Sequence, residues 1–330
     1  MEEGFRIWAN PSSPHAEGRR AKAALEDARE RVKRALGWEG EVIFTSGASE
    51  ALAIGLRRAK VDRRIVSAVE HDAVFRAAPD AEVVPIESGN FLDFDAMWRM
   101  LDKPGRPIVA LQSVNSETGT IVINMPGHDN ELASAIREKD GLLLADCSQS
   151  AGKLPLPYAD MIVVSAHKLG GPIGTGALLV QDFGMLEPMG GHERGYRAGT
   201  ENLPAVMGFA AALEAGGQTS WSTTESERSD FQLEMLQNRC AQLTGAQIDY
   251  ILPLTHPALS AQALLIRLDA MGFAVSAGSA CSSGTLKKSR VLEAFGFDED
   301  TAARTIRVSL GWSTTPAELD AFAAAWASLS

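Results

Sequence analysis

The stretch IVVSAHKLGGPIGTGALLV, from Ile162 to Val180, decides the predicted fold because it places a lysine at the end of a buried strand. Its first residues are continuously apolar, which is typical of a strand buried on both faces, and this strand is predicted to end at Ser165. The glycines that follow Lys168 exclude a helix directly after it. Lys168 is thus predicted at the carboxyl end of a buried strand, where open α/β sheets bind their ligands.

Two interpretations of Lys168 are open at this point. Burial at a strand end would disfavour its charged form and leave a nucleophilic amine, which a lysine needs in order to bond covalently to a carbonyl carbon. The alternative is a surface lysine in a glycine-rich loop. The spacing alone does not separate the two.

Length and composition limit the class of protein. A chain of 330 residues with 45% apolar content can bury a large core and suggests one large domain with a smaller one. The net charge of −11, from 31 basic and 42 acidic residues, argues against nucleic acid as a partner. No apolar run reaches the roughly 20 residues of a membrane span, and the acidic start MEEGFRIWAN lacks the order of a signal peptide. We therefore expect a cytoplasmic protein with no membrane partner.

The three cysteines are too few and too scattered for a disulfide framework. None stands in a CxxC or Cys/His spacing, so no metal site is predicted. Cys147 lies beside a predicted buried strand and Cys240 within a predicted helix, and both are interpreted as structural. Cys281 is treated separately below.

Strands and helices alternate along the first two thirds of the chain. The patterns predict strands from Glu41, near residues 65, 83, 109 and 143, and at 161–165 and 176–180, and helices at 17–36, 50–59, 93–101 and 130–139 and from Pro204. This alternation predicts a largely parallel, doubly wound sheet in which right-handed crossovers bring the strand ends to one side.

A polar stretch from Gly216, GGQTSWSTTESERSD, is interpreted as a domain boundary. The large domain is predicted over residues 10–220, and a smaller α+β domain over 1–9 and 221–330. The predicted elements of the smaller domain are helices at 231–243, 261–272 and 286–295 and from Pro316, and strands around Ile248, at 273–277 and from Thr305.

The turn after the first predicted strand contains small residues, TSGAS from Thr45 to Ser49. Free backbone N–H groups at the start of the following helix would favour an anion such as a phosphate. Helix capping by Ser46 or Ser49 is the alternative.

Several strand ends carry side chains that can do chemistry: His71, Asp146 with Gln149, and Ser165 with His167 and Lys168. Each is a weak signal alone, because an aspartate after a strand is usually a helix cap and a lone histidine is usually structural. Together they suit pyridoxal phosphate, which needs a lysine, a carboxylate at its ring nitrogen, a face to stack on and donors for its phosphate.

The chain resembles the NifS/IscS-like cysteine desulfurases, within the class V aminotransferase superfamily of fold-type I enzymes, over nearly all of its length. The segments that carry the resemblance, in order, are NPSSPHAEGRRAKAALEDARE, FTSGASEA, VEHDAV, VNSETG, the Asp146/Gln149 pair, SAHKLGGPIGTGAL, GGHERGYRAGTEN, SAGSACSSGTLKKSRVLEAFG and TIRVSLG. The implied fold is the three-layer, fold-type I architecture of transferases that depend on pyridoxal phosphate, with a doubly wound, mainly parallel α/β sheet and a smaller α+β domain.

The resemblance implies a role for each residue around the cofactor ring. Lys168 would hold pyridoxal phosphate covalently and also remove the substrate Cα proton. Asp146 would pair with the ring nitrogen, Gln149 would hydrogen-bond the ring oxygen, and His71 would stack on the ring and assist proton transfer.

The cofactor phosphate is implied to be held from two subunits. Ala48, Ser49, Ser165 and His167 would bind it within one chain. Thr200 would reach it from the partner chain, which implies a homodimer with shared sites.

The substrate and product roles follow from the same resemblance. Arg307 would bind the substrate carboxylate together with the loop of Asn115 and Ser116. Cys281 would take the sulfur of L-cysteine as a persulfide and leave L-alanine, and its small-residue surroundings suit a mobile loop. The implied sulfur acceptor is an iron–sulfur scaffold protein or a tRNA-thiolation relay.

Three departures from the family pattern stand out. Only nine residues precede Asn10, where family members carry a longer segment, and the region before Ser260 looks shortened. Ser116 replaces a second asparagine that contacts the substrate carboxylate. The lost hydrogen bond would weaken substrate binding by about 1.5–3 kcal/mol.

Two other functions use the same residues. A related aminotransferase, selenocysteine lyase or β-lyase would make Cys281 incidental. A degenerate homologue would bind the cofactor or a partner with little turnover.

Overall fold

The computed structural model describes residues 1–87, 92–123, 128–239, 243, 245–277 and 288–329, with the side chains of 128–130 and 237–239 excepted. The chain divides into two compact units. Unit 1 comprises Met1–Val83, Asp95–Val114 and Ile123–Gly217, and unit 2 comprises Val84–Phe94, Asn115–Val122 and Gln218–Ser330. Cys281 and Cys240 lie outside the described residues, so the predictions made for them stay predictions.

Unit 1 is built on a seven-stranded sheet of order β1-β7-β6-β5-β4-β2-β3. Its strands are β1 (Glu41–Thr45), β2 (Arg63–Ser67), β3 (Glu82–Val84), β4 (Pro107–Gln112), β5 (Leu142–Asp146), β6 (Met161–Ser165) and β7 (Gly176–Val180). Pairs β2/β4, β4/β5 and β5/β6 are parallel, as the alternation of strands and helices predicts. Strand β7 runs antiparallel to both β6 and β1, because the connection from Ser165 to Gly176 is too short for a crossover.

Seven helices accompany this sheet: α1 (Glu2–Arg6), α2 (Ala16–Leu36), α3 (Ala48–Arg58), α4 (Asp72–Ala77), α5 (Phe94–Leu101), α6 (His128–Glu138) and α7 (Leu203–Glu214). Helix α2 ends at Gly37, whose φ of 63° is the left-handed conformation that favours glycine. Helix α4 was not predicted, because it is only six residues long and lacks a full apolar period. Every residue of β4, β5, β6 and β7 is buried, consistent with the continuous apolar runs.

Residues 1–9 differ from the predicted domain division. They belong to unit 1 because α1 packs against α7. A Cβ placed on Gly4 would lie 2.6 Å from the Cα atom of Pro204, so the two backbones are in close contact. A short acidic segment gives no sequence signal for such a contact.

Unit 2 contains a three-stranded antiparallel sheet of order β8-β10-β9. Its elements are α8 (Glu225–Arg239), β8 (Ile251–Thr255), α9 (Ala261–Ala270), β9 (Ser276–Ala277), α10 (Arg290–Ala294), α11 (Glu299–Ala303), β10 (Thr305–Ser309) and α12 (Pro316–Ser328). Its core includes buried apolar side chains of α8, α9, α12 and the sheet.

The strand predicted around Ile248 is wrong in position, since β8 begins at Ile251 and Gln247 makes only an isolated bridge with Thr120. Pro253 hides the strand in the sequence, but a proline is tolerated there because β8 is an edge strand. Helix α8 begins six residues before the predicted helix, at Glu225.

None of the helices in the described part of the chain combines the length and apolarity that a membrane span requires. Over the same residues, no group of three or more His, Cys, Asp or Glu side chains is arranged to hold a metal ion.

A buried ion pair fastens α2 to the segment that precedes α7. Arg29 and Glu193 are 2% and 3% exposed, and their side chains approach to 2.8 Å. Arg29 also donates to the Val42 carbonyl, and Glu193 accepts from the Phe44 amide, so both charges contact β1. Glu193 adopts a left-handed φ of 48°, which these bonds hold in place.

We expect Glu193→Gln to lower the free energy of unfolding by about 3–5 kcal/mol, because it removes the buried counter-charge of the Arg29 guanidinium and leaves the partly exposed Glu26 as its ion-pair partner. Urea unfolding followed by circular dichroism measures this change. The matched control is Glu214→Gln, which removes the half-exposed partner of Arg31 and should cost less than about 1 kcal/mol. Equal losses of unfolding free energy in the two variants would contradict a special stabilising role for the buried Arg29–Glu193 pair.

Candidate active site

The carboxyl ends of the parallel strands of unit 1 meet at one edge of the sheet. Thr45 at the end of β1 and Ser165 at the end of β6 both pair with Gly176, the first residue of β7. On the other side of β6, Asp146 pairs with Val163. Residues that follow these ends are therefore brought together, as the sequence predicts.

The start of α3 has the form of an anion site. Its N-cap is Gly47, with φ 144°, and no side chain caps the helix. Capping by Ser46 or Ser49, the alternative raised from the sequence, is therefore not observed. Ala48 and Ser49 occupy the first turn, where backbone N–H groups and the helix dipole favour a negative charge.

Gly176 leaves room for this helix start. A Cβ on Gly176 would lie 2.5 Å from the Val164 carbonyl oxygen and 2.9 Å from the Cα atom of Gly47. The first residue of β7 must therefore be glycine for α3 to begin where it does.

Lys168 lies in a single 3₁₀ turn, Ala166–Leu169, which we call the Lys168 turn. The turn ends at Gly170 in the left-handed conformation, so no helix continues beyond it, as predicted. Lys168 and the preceding His167 are exposed in the described chain, whereas Ser165 is buried.

His167 and Ser165 form a polar pair beside the lysine. Ser165 Oγ lies 3.0 Å from His167 Nδ1. Partial burial of the ring, and then the positive charge of Lys168, lower the pKa of His167. The lowered pKa favours the neutral ring, which can offer an N–H or a lone pair to a bound group.

Asp146 is a buried carboxylate at the end of β5, 7% exposed. Burial raises its pKa, while hydrogen bonds from the Ser148 amide and hydroxyl, and the charges of His71 and Lys168, act in the opposite direction. Both Ser148 bonds go to Oδ1, and Oδ2 receives neither. A buried carboxylate of this kind is stabilised by a cation placed against it, and a protonated ring nitrogen is such a cation.

His71 is the N-cap of α4, and its Nδ1 accepts a hydrogen bond of 3.1 Å from the Ala73 amide. A ring nitrogen that accepts cannot carry the proton, so neutral His71 holds its proton on Nε2. The ring is exposed and within electrostatic reach of Asp146. The structure thus brings His71, Asp146 and Lys168 together.

Two further predicted residues of unit 1, Gln149 and Thr200, differ in their exposure. Gln149 is buried and follows Asp146 by three residues in a turn that continues from β5. Thr200 is exposed, beyond Gly199 with its φ of 87°.

In unit 2, Arg307 lies on the central strand β10. Its Nη1 donates to the Ser116 carbonyl at 3.0 Å, and its buried Nε has no hydrogen-bond partner among the described residues. Burial lowers the pKa of Arg307, and the charge of Glu117 opposes that shift. A buried guanidinium with an unused donor fits a carboxylate ligand.

Asn115 and Ser116 lie in the turn that faces Arg307. Asn115 is buried, and its Oδ1 accepts from the Glu117 amide and from the amide and hydroxyl of Thr118. That oxygen is thus committed to shaping the turn. Ser116 contacts Arg307 through its main chain, so its side chain is not needed for that bond.

Sequence reasoning missed Lys153, whose Nζ donates to the main-chain carbonyl of Lys168 at 3.0 Å. The available signal was the segment SAGKL, a glycine and lysine shortly after Gln149. A lysine after a glycine is too common in loops to be singled out without the contact.

We expect Gly176→Ala to lower the free energy of unfolding by about 1–3 kcal/mol, because the new methyl group would collide with the backbones of Val164 and Gly47. Urea unfolding measures it. Gly311→Ala is the control, since no described atom lies within 4 Å of the added Cβ. A Gly176→Ala protein as stable as the Gly311→Ala protein would show that the close approach is not required.

The chain is similar to known proteins over nearly its whole length. The profile of the family described as Aminotransferase class-V matches residues 3–322. A protein of Cereibacter sphaeroides named cysteine desulfurase is 34% identical over 340 aligned positions, covering 95% of this chain and 86% of that protein.

Two solved structures share the fold over nearly the whole chain. One, described as a NifS-like protein, superposes with a TM-score of 0.84 at 27% identity. The aligned region covers 99% of this chain and 94% of the NifS-like chain. The other, SspA in complex with cysteine, gives a TM-score of 0.78 at 26% identity and covers 96% of each chain. With the family profile, they confirm the predicted fold-type I α/β architecture. The chain belongs to the class-V aminotransferase family.

Proposed function

We propose that this protein is a cysteine desulfurase that depends on pyridoxal phosphate. It would convert L-cysteine and the thiol of Cys281 into L-alanine and a Cys281 persulfide. The cysteine sulfur–carbon bond breaks, a sulfur–sulfur bond forms, and no external oxidant is consumed. Similarity to the Cereibacter sphaeroides desulfurase and to SspA, which was solved with cysteine, supports the proposal.

One observation supports this proposed function more than any other. Lys168, Asp146 and His71 gather at the carboxyl edge of the unit 1 sheet, where the charges of Lys168 and His71 act on the Asp146 carboxylate. An amine, an acid and an imidazole in electrostatic contact at this edge are the groups that pyridoxal phosphate requires around its ring.

The residues present fit the cofactor. The uncapped start of α3, with Ala48 and Ser49, and the Ser165–His167 pair would hold the phosphate. Asp146 would hold the ring nitrogen, Gln149 the ring oxygen, and His71 would cover one face. When bound, pyridoxal phosphate supplies an electron sink for bond breaking at the substrate Cα.

Lys168 would move the proton. Its amine would take the proton from the substrate Cα and would later give it back to a carbon of the product. His71, with its proton on Nε2, has a hydrogen to donate while its Nδ1 stays occupied by the Ala73 amide.

Arg307 would bind the substrate carboxylate through the donor that Nε offers. The role of Cys281 rests on the sequence resemblance. Its thiolate would be the nucleophile toward the substrate sulfur.

We also propose a homodimer in which Thr200 of each chain completes the phosphate site of the other. The exposure of Thr200 supports this, as do exposed apolar side chains of unit 1, which a second copy would cover. These side chains are Phe5, Trp8, Ile173 and Met189. The acceptor would be an iron–sulfur scaffold protein or a tRNA-thiolation relay, and cytoplasmic location stays a prediction from the sequence.

The decisive experiment measures sulfide and alanine formed from L-cysteine in the presence of a thiol reductant. Cys281→Ala should lower sulfide formation on the order of 100-fold while the visible absorbance of the bound cofactor stays, because only the nucleophile is lost. Lys168→Ala should lose both signals. Cys240→Ala is the matched cysteine control and should keep both.

The other functions appear as distinct outcomes. Undiminished sulfide formation by Cys281→Ala would favour an aminotransferase, selenocysteine lyase or β-lyase. Equal rates with and without the wild-type protein would favour a degenerate homologue.

Ser116→Asn should lower the KM for L-cysteine about tenfold to a hundredfold, because an amide side chain restores a hydrogen bond to the substrate carboxylate. The main-chain bond from Arg307 to residue 116 does not depend on this side chain. Steady-state kinetics measures the change, and Ser116→Ala is the control, for which no improvement is expected. An unchanged KM in Ser116→Asn would remove the proposed reason for weak binding.

A further inference from the structure

Lys153 connects two segments that leave adjacent strands of the unit 1 sheet. It follows β5, in a series of turns where the amides of Ala151 and Lys153 bond to the carbonyls of Cys147 and Ser150. The Lys168 turn follows β6, which pairs with β5 in parallel. Both segments therefore start from the same edge of the sheet.

Gly152 allows the two segments to pack. Its φ is +74°, and a Cβ there would lie 3.1 Å from Leu213 and 3.6 Å from Leu169. Leu169 is the last residue of the Lys168 turn, so Gly152, just before Lys153, lies beside the side chain of that residue. Lys153 is directed at the turn by a conformation that favours glycine.

The contact includes a hydrogen bond from Lys153 Nζ to the Lys168 main-chain oxygen, 3.0 Å long. Within the turn, the amides of Gly170 and Gly171 both bond back to the Ala166 oxygen rather than to that of Lys168. The Lys168 oxygen is one of the carbonyls that a helix end leaves for a partner outside the helix. A lysine donor there also matches the negative end of the turn.

The charge of Lys168 also acts on Lys153. Burial, and then the positive charge of Lys168, lower the pKa of Lys153 to about 7. The hydrogen bond is therefore charge-assisted below about pH 7 and a weaker neutral bond above it.

We infer that Lys153 is a positioning residue for Lys168: by holding the Lys168 carbonyl, it fixes the backbone from which the reactive side chain projects. The direction of a carbonyl group is set by the ψ angle of its own residue. Fixing that oxygen therefore restrains the main chain at Lys168, from which the side chain that carries the amine projects. This inference rests on the proposed role of Lys168 toward pyridoxal phosphate and names a residue that acts through it.

The test measures how fast Lys168 captures added pyridoxal phosphate in the cofactor-free full chain, followed by visible absorbance. Three variants separate the properties of Lys153. Lys153→Arg keeps the charge and the donors, Lys153→Gln keeps a neutral donor, and Lys153→Met keeps only the apolar length.

Lys153→Met should slow capture about tenfold, the value of one charge-assisted hydrogen bond. Lys153→Arg should stay within about threefold of the wild type, and Lys153→Gln should fall between. The matched control is Lys139→Met, which removes a unit 1 lysine that pairs with Asp102 and should leave the rate unchanged. A Lys153→Met rate equal to that of Lys139→Met would overturn the inference.

A pH series adds a readout that general destabilisation would not move. The ratio of wild-type to Lys153→Met capture rates should fall as pH rises through about 7, because Lys153 loses its proton there. Lys168 is the charged group that acts on Lys153, and it is present in every variant. Lys153→Arg stays charged, so the ratio of its capture rate to that of Lys153→Met should not fall over the same pH range. Identical pH profiles for the wild type and Lys153→Arg would overturn the inference.

Failure of this inference and failure of the proposed function can be told apart. The proposed function fails if the wild-type chain captures no pyridoxal phosphate, or if Lys168→Ala captures it at the same rate as the wild type. If the wild type captures it through Lys168 and the Lys153 variants do so at the same rate, only the role of Lys153 fails. Urea unfolding of each variant identifies a slower capture rate that results from a destabilised fold. If Lys153→Met does not fold, the capture rates of Lys153→Arg and Lys153→Gln still test the effect of the charge.

Discussion

The close approach of three backbones at Gly176 is the constraint on which the unit 1 site depends. Strand β7 pairs with β1 on one side and β6 on the other, so its first residue lies between Thr45 and Ser165. Because glycine has no side chain, the start of α3 fits against it. One short antiparallel strand thereby brings the helix start that suits a phosphate next to the strand that carries Lys168.

Charge at this edge is balanced by burial. Asp146 has a raised pKa because it is buried, and the groups that oppose that shift, His71 and Lys168, are those with which it would share a cofactor. Lys153 and His167 have lowered pKa values for the corresponding reason, with the charge of Lys168 adding to the effect of burial. A bound group that carries a cationic nitrogen and an anionic phosphate would satisfy both sides.

Unit 2 also contains a buried charged group, the guanidinium of Arg307. Arg307 is held on the central strand of a small sheet by one bond to the Ser116 carbonyl, and its Nε is left buried without a partner among the described residues. Such a donor is costly unless a ligand accepts from it. The departure of Ser116 from the family pattern therefore concerns the side chain, while the main-chain support of Arg307 is intact.

The sequence by itself determined the strand-and-helix order of unit 1, the strand end that carries Lys168, and the gathering of His71 and Asp146 near it, because buried parallel strands have continuous apolar runs whose ends share an edge. It placed β8 wrongly and overlooked α4, since Pro253 conceals an edge strand and six residues are too few to show a helical period. Only the tertiary structure decided that α1 packs on α7 and that Lys153 meets the Lys168 carbonyl. Each of these contacts joins residues through backbone atoms or across sequence-distant segments, and neither leaves a periodic pattern in the chain.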